Sequence, residues 1–268
     1  MKDPRKYKLI VSDLDGTIFD QTYTLAAELK EAVIKARGRG CEFTFATGRL
    51  YPSAVQYARE LGLKVPLITY NGALIRNPVT DETVLEVPLP RGKAGEIVKL
   101  TDGQPVMRFI FRDDIVFTDT EEVFTRPYAD ALGVKFVYVR RLASVLDKDP
   151  IMITLRAEPE EIKKWTAIFR DRFAGQLYLA NSRPFFLDVA HPKVSKGFAV
   201  AELCRVMGIS PAETIAIGDE ANDVEMMERA GLGVAVGNAA AGAKRYADYV
   251  AKGEYWRGVI EVIEKFVL

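Results

Sequence analysis

At both ends of the chain, but not between them, short continuous apolar runs alternate with segments of helical apolar spacing. Residues 9–12, 41–46 and 65–70 are the first three runs. Between them lie residues 25–37, with Leu25, Leu29, Ala32, Val33 and Ala36 on one stripe, and residues 52–61. A run with no polar face belongs to a strand covered on both sides. Strands of that kind joined by helices return parallel through right-handed crossovers. Gly38-Arg39-Gly40 stops the first helix and Pro52 opens the second. The C-terminal part repeats the pattern: helix over 197–207 stopped by Gly208, strand 214–217, helix 224–230, strand 233–236 and a small-residue helix over 239–246. A short strand at 249–250 and an amphipathic helix over 259–266 close the chain.

The middle follows another rule. Residues 83–87, 106–112, 115–118, 135–139, 151–156, 176–179 and 185–189 read as strands, several alternating apolar and polar side chains as an antiparallel sheet with one wet face does. Asp113-Asp114 is placed as a hairpin turn, and helical patterns lie near 93–101, 121–132 and 160–173. Asn77-Pro78 and His191-Pro192 punctuate the two ends of this block. The expectation is an α/β fold: a doubly wound parallel-sheet core in two segments, 1–82 and 189–268, with an α+β domain inserted at 83–188.

At 268 residues and 49% hydrophobic composition the chain can build one large or two moderate cores. Lys plus Arg equal Asp plus Glu at 37 each, leaving no electrostatic footprint for nucleic acid or an anionic membrane. No apolar run approaches the roughly 18 residues of a membrane helix, and the first strand follows Met1 without a signal-peptide core, so a cytoplasmic location is expected. Oligomeric state leaves no mark. Cys41 and Cys204 form no CxxC pair and are expected to be buried, reduced thiols. His191 is the only histidine, which excludes multi-histidine metal sites, and it is expected as an exposed hinge residue. Neither a G-x-S-x-G elbow nor a P-loop is present. Trp165 is read as core, and Arg140-Arg141 as solvated surface.

Ligands of open α/β sheets bind beyond the carboxyl ends of the strands. Asp13, Thr47, Asn71 and Asp219 each follow a strand of the parallel set, so all four are expected at one rim. Asp13-Leu14-Asp15-Gly16-Thr17 puts two carboxylates on one turn, offering a nucleophile and a hard-cation site together. A bare carboxylate repels a phosphate dianion, so a bridging cation is expected. Mg²⁺ suits it, with Asp13 and Asp219 as ligands and Asp223 in support. Lys196 and Thr47 are placed to offset charge on the non-bridging oxygens of a transferring phosphoryl group.

Four stretches resemble the four motifs of the haloacid dehalogenase (HAD) superfamily: Asp13-Leu14-Asp15-Gly16-Thr17, Ala46-Thr47-Gly48-Arg49, Ser195-Lys196-Gly197 and Gly218-Asp219-Glu220-Ala221-Asn222-Asp223. Asn71-Gly72-Ala73 and Gly237-Asn238-Ala239 resemble the Cof-type branch with a type-IIB cap. The resemblance implies a Rossmann-like core and an Mg²⁺-dependent phosphatase acting on small phosphorylated metabolites through an aspartyl-phosphate. By it, Asp13 is the nucleophile and Asp15 the general acid and then base. Thr47, Gly48, Asn71, Lys196 and Asn222 meet phosphate or substrate. Mg²⁺ is held by Asp13, the Asp15 carbonyl and Asp219, with Asp223 nearby. Spacing supports a cap independently: 31 residues separate Asp15 from Thr47, but 148 separate Thr47 from Lys196, far beyond a βαβ unit. The stretch Gly253-Glu254-Tyr255-Trp256-Arg257-Gly258-Val259 departs from relatives, which are acidic and asparagine-rich there. A phosphomutase using the same aspartyl-phosphate, and a receiver-like phospho-accepting module, are the alternatives. The receiver accounts for neither Asp15 nor the insertion.

Overall fold

The computed structural model describes residues 7–20, 22–121, 125–126, 129, 133–181 and 183–268. In chain order, β1 (Leu9–Ser12), α1 (Ala27–Gly38), β2 (Glu42–Phe45), α2 (Tyr51–Glu60), β3 (Leu67–Thr69), β4 (Leu74–Arg76) and β5 (Thr83–Glu86) come first. Next come α3 (Arg91–Leu100), β6 (Met107–Arg112), β7 (Ile115–Thr118), β8 (Lys135–Tyr138), β9 (Met152–Arg156), α4 (Pro159–Arg172), β10 (Tyr178–Ala180) and β11 (Phe186–Ala190). The last elements are α5 (Lys196–Met207), β12 (Thr214–Gly218), α6 (Val224–Arg229), β13 (Leu232–Ala235), α7 (Ala241–Lys244), β14 (Tyr249–Val250) and α8 (Trp256–Phe266). The chain forms two compact units. One comprises Met1–Arg49, Ala54–Leu85 and Ser195–Leu268, the other Leu50–Ser53 and Glu86–Val194.

In the first unit a five-stranded sheet runs β14-β13-β12-β1-β2, with every pairing parallel. From β1 the chain moves outward to β2. From β12 it moves outward the opposite way, through β13 to β14. The winding therefore reverses between β1 and β12, and the carboxyl ends of those two strands mark the ligand crevice. Helices cover the sheet because each carries an apolar stripe. Leu29, Ala32, Val33 and Ala36 form the buried stripe of α1, spaced as one helical face requires. Leu9 and Val11 of β1 pack in one cluster with Val200, Leu203 and Cys204 of α5 and Met226 of α6.

A three-stranded sheet, β3-β4-β5, adjoins this core in sequence, and Ala46 bridges Ile68 in parallel. Sequence patterning missed β4, which is three residues long and reads as loop. It also misplaced β5. A strand does form at Thr83–Glu86, but it pairs beside β4 and not in the sheet of the second unit.

The second unit is built on a six-stranded sheet, β10-β11-β9-β6-β7-β8. Asp113 and Asp114 both take left-handed φ, 51° and 58°, as the two central residues of a two-residue hairpin between β6 and β7 do. Four of the pairings are antiparallel, but β7 and β8 run parallel. The antiparallel expectation fails for that pair because 16 residues separate β7 from β8, enough for a crossover, and side-chain alternation carries no information on direction. The helix expected over 121–132 lies largely outside the described residues. One face of the sheet packs on α3 and α4 through Ile110, Ile153, Leu155, Leu187 and Val189. Trp165 sits in that core with its ring 5.6 Å from Phe169. Arg140 and Arg141 are exposed.

His191 is half-buried, not exposed, because its Nδ1 accepts the Lys193 N–H at 3.1 Å and folds the ring against the chain. Cys41 and Cys204 are buried free thiols, pushed up to about 12 and about 11 chiefly by burial. Among the described residues no helix is long and apolar enough to cross a membrane.

Candidate active site

Asp13 follows β1 directly, and its N–H donates to the Ile217 carbonyl of β12 at 2.9 Å. Asp219 follows β12. Adjacent strand ends therefore set the two side chains next to each other, and the short turn Ala221–Asp223 folds a third carboxylate back. Oxygens of Asp13, Asp219 and Asp223 all lie within 4.8 Å of one another, and all three residues are buried.

Among the described residues one cation, Lys196, bonds to this group. Lys196 opens α5, which Ser195 caps by accepting the Phe198 N–H at 2.9 Å. The Lys196 Nζ donates to Asp13 Oδ1 at 2.7 Å and to Asp223 Oδ1 at 2.6 Å, and the side chain is 1% exposed. Burial alone would lower its pKa, but the two carboxylates outweigh that and hold it above the ordinary lysine value. An ammonium has three donors, so one remains for a ligand.

The carboxylates differ in how far they are satisfied. Asp223 spends Oδ1 on Lys196, and its Oδ2 accepts the N–H groups of Asp219 and Glu220, each at 3.0 Å. Burial pushes Asp13 well above the usual carboxylate range. Lys196 works against this, while Asp223 and Asp219 add repulsion. Asp219 is raised to about 6, again mainly by burial. The Thr17 hydroxyl, donating to its Oδ1 at 2.6 Å, pulls it down, and Asp223 pushes it up. Three buried carboxylates against one ammonium leave excess negative charge on a set made only of oxygen donors. That set fits a hard divalent cation.

The second group of residues lies around the turn after β3. The Asn71 N–H donates to the Thr47 carbonyl, and the Tyr70 N–H to the Arg49 carbonyl, both at 3.0 Å. Asn71 adopts φ 56°, a left-handed conformation that asparagine tolerates better than most residues. Its Oδ1 accepts from Asn222 Nδ2 at 3.3 Å. Gly48 lies close beside it: a Cβ there would stand 3.0 Å from that same Oδ1, so any side chain would press on the amide. Among the described residues nothing bonds the buried Asn71 Nδ2. Thr47 is fully buried, and its hydroxyl accepts the Arg49 N–H at 3.1 Å while keeping its own proton to donate.

Asp15 stands apart. Its carboxylate is not in the Asp13–Asp219–Asp223 group and instead takes a two-pronged bond from Arg49. Sequence reasoning assigned nothing to Arg49, to Thr17 or to Asn238, although each lies in a quoted motif. Asn238 donates to the Gly16 carbonyl at 2.7 Å and accepts the Tyr255 N–H at 2.8 Å, tying the loop after β1 to the C-terminal segment.

A family profile of haloacid dehalogenase-like hydrolases matches residues 10–263. The chain belongs to that family. Among its HAD relatives is the phosphoglycolate phosphatase of Methanoculleus marisnigri, 29% identical over 259 residues, which are 97% of this chain and 96% of the relative. A haloacid dehalogenase-like hydrolase from Bacteroides thetaiotaomicron superposes with a TM-score of 0.87 at 25% identity, covering 97% of this chain and 99% of that one. The HAD subclass IIB sugar phosphatase BT4131 superposes with a TM-score of 0.76 over 91% of this chain and 93% of its own. Its identity of 24% makes that a likeness of fold. The parallel sheet and the additional six-stranded sheet are thus those of the HAD fold, and the enzyme is a phosphatase.

Proposed function

We propose that the enzyme is an Mg²⁺-dependent phosphatase of small phosphorylated metabolites, sugar phosphates or similar monoesters, working through an aspartyl-phosphate. The observation that carries this reading is the buried group of Asp13, Asp219 and Asp223 around the Lys196 ammonium. A relative named for phosphoglycolate and a structural neighbour described as a sugar phosphatase support the small-monoester class.

Asp13, Asp219 and the Asp15 carbonyl would hold the cation. Asp223, with both oxygens already engaged, orients Lys196 and the Asp219 backbone. When bound, Mg²⁺ supplies positive charge that offsets repulsion between a carboxylate and a phosphate dianion. An oxygen of Asp13 attacks phosphorus, and the bond from phosphorus to the ester oxygen breaks. Asp15 gives its proton to the departing alkoxide, then takes one from the water that attacks the aspartyl-phosphate. Inorganic phosphate leaves and Asp13 is regenerated. Lys196, the Thr47 hydroxyl and the unpaired Asn71 amide neutralise or bond the non-bridging oxygens, and Asn222 orients Asn71. On this reading the inserted segment, expected from sequence at 83–188 and beginning after β5 in the structure, is a cap that selects substrate and excludes water.

Asp13→Asn tests the assignment, because the side chain is nearly isosteric. Turnover of p-nitrophenyl phosphate with Mg²⁺ is expected to fall to background while the circular dichroism spectrum is unchanged. Activity above about 5% of wild type would contradict Asp13 as nucleophile.

A further inference from the structure

Arg49 is a half-buried cation for which the reaction above has no use. Its Nε donates to Asp15 Oδ2 and its Nη2 to Asp15 Oδ1, both at 2.7 Å. Around the guanidinium stand three rings, with centroids at 5.0 Å for Phe19, 5.3 Å for Tyr57 and 5.4 Å for Tyr23. Phe19 and Tyr57 also pack on each other at 4.6 Å. The pair is asymmetric: the Arg49 side chain is 16% exposed and that of Asp15 is 37% exposed. Most ion pairs near the surface are weak because two long side chains must be held in one geometry. Here the rings already fix the planar cation, and its fork fixes the plane of the carboxylate.

We propose that Arg49 is the positioning residue for Asp15, setting the rotamer from which Asp15 serves the leaving-group oxygen, and that it is not a phosphate ligand. The inference rests on the assignment of Asp15 as proton donor. Two of the roughly four acceptor positions of the carboxylate are spent on the fork, and the others stay open to a proton and a leaving group. The same fork withholds Arg49 from phosphate: its Nε and Nη2 are committed and its faces are boxed. No other cation bonds to the Asp15 carboxylate among the described residues, so without Arg49 the carboxylate loses its orientation but not its chemistry.

The test compares Arg49→Met and Arg49→Lys with wild type on p-nitrophenyl phosphate and on alkyl phosphates, with inhibition by inorganic phosphate measured alongside. p-Nitrophenolate hardly needs protonation, whereas an alkoxide does. The readout is kcat/KM, which ends at release of the leaving group and omits hydrolysis of the aspartyl-phosphate. Arg49→Met is expected to keep it within about threefold on the aryl ester and to lose about 100-fold on alkyl esters, the scale of general acid catalysis. The inhibition constant for phosphate should be unchanged. Arg49→Lys should recover part of the alkyl activity, since an ammonium can hold one oxygen, and it carries the test should Arg49→Met fail to fold. Adding Arg49→Met to Asp15→Asn should cost nothing further on alkyl esters. An active wild type whose variants lose kcat/KM equally for both ester classes, or whose phosphate inhibition weakens tenfold, overturns this inference alone. A wild type inactive on every monoester with Mg²⁺ overturns the phosphatase chemistry beneath it.

Discussion

Replacing Asp219 by Asn should make the metal-free protein more stable, and the gain should depend on pH. Asp219 is raised from an ordinary 3.8 to about 6 by burial and by the nearby Asp223. A proton is therefore held more tightly in the folded than in the unfolded chain. The stability linked to that proton is fully present below pH 4 and is lost as pH rises through about 6. At neutral pH the ionised side chain costs about 3 kcal/mol, at about 1.36 kcal/mol for each tenfold change in proton affinity. Asparagine removes the charge and still accepts the Thr17 hydroxyl that now bonds Oδ1 at 2.6 Å. In EDTA at pH 7.5, Asp219→Asn is expected to melt about 6 °C above wild type, using about 2 °C per kcal/mol for a chain of this size. At pH 4.5 the gap should shrink to about a third of that, because wild type is then largely protonated too. Mg²⁺ at a hundred times its dissociation constant should stabilise wild type by about 2.7 kcal/mol and leave the variant unmoved, nearly closing the gap. Scanning calorimetry at both pH values, with and without Mg²⁺, reads all four quantities. A pH-independent gap, or a variant no more stable than wild type in EDTA, would refute the reasoning.

Three further outcomes follow from the same geometry. Lys196→Met leaves Asp13 and Asp223 buried without their shared cation, so urea unfolding should show a loss of about 3–5 kcal/mol; a loss under about 1 kcal/mol would mean the carboxylates are effectively solvated. Gly16→Ala and Gly40→Ala both force alanine into a left-handed conformation, at φ 85° and 84°. Only at Gly16 does the new Cβ meet a neighbour, 2.2 Å from Asp219 Oδ2, so Gly40→Ala should cost about 1–2 kcal/mol while Gly16→Ala costs more and also loses the Mg²⁺ thermal shift. Asn71→Asp puts a carboxylate where a buried amide donor is unpaired, and is expected to weaken inhibition by inorganic phosphate at least tenfold, read by steady-state kinetics.

Much of this architecture was legible because it rests on local apolar pattern. The continuous runs of β1, β2 and β12 announce strands covered on both faces, and a polar residue at each strand end points to one rim. Direction and partner are another matter. The alternation in β7 fits either orientation of its neighbour, and the apolar pair Val84-Leu85 of β5 does not say which sheet receives it. Three-residue β4, just after a turn with positive φ at Tyr70, Asn71 and Gly72, has too few side chains to show a period. The triad of carboxylates with Lys196 could be anticipated because each residue sits in a motif of strong chemical character. The Asp15–Arg49 pair could not. It joins positions 34 apart, and the box around it draws on Phe19, Tyr23 and Tyr57, each of which reads in sequence as an ordinary core or surface aromatic.

The bonds are shared unequally among the three carboxylates. Asp223 has no spare oxygen; it fixes Lys196 and two backbone N–H groups. Asp13 gives Oδ1 to Lys196, and Asp219 gives Oδ1 to Thr17. Among the described residues, Asp13 Oδ2 and Asp219 Oδ2 are left without a partner. Glycine at position 16 keeps the second of these uncovered, since any side chain there would fill the space beside it. Each strand end therefore presents one committed and one open oxygen. The committed oxygens set the orientation, and the open ones are what a divalent cation and a phosphorus atom can share. Removing Asp223 should on this argument lower Mg²⁺ affinity without removing a ligand, by releasing Lys196 and the Asp219 backbone together.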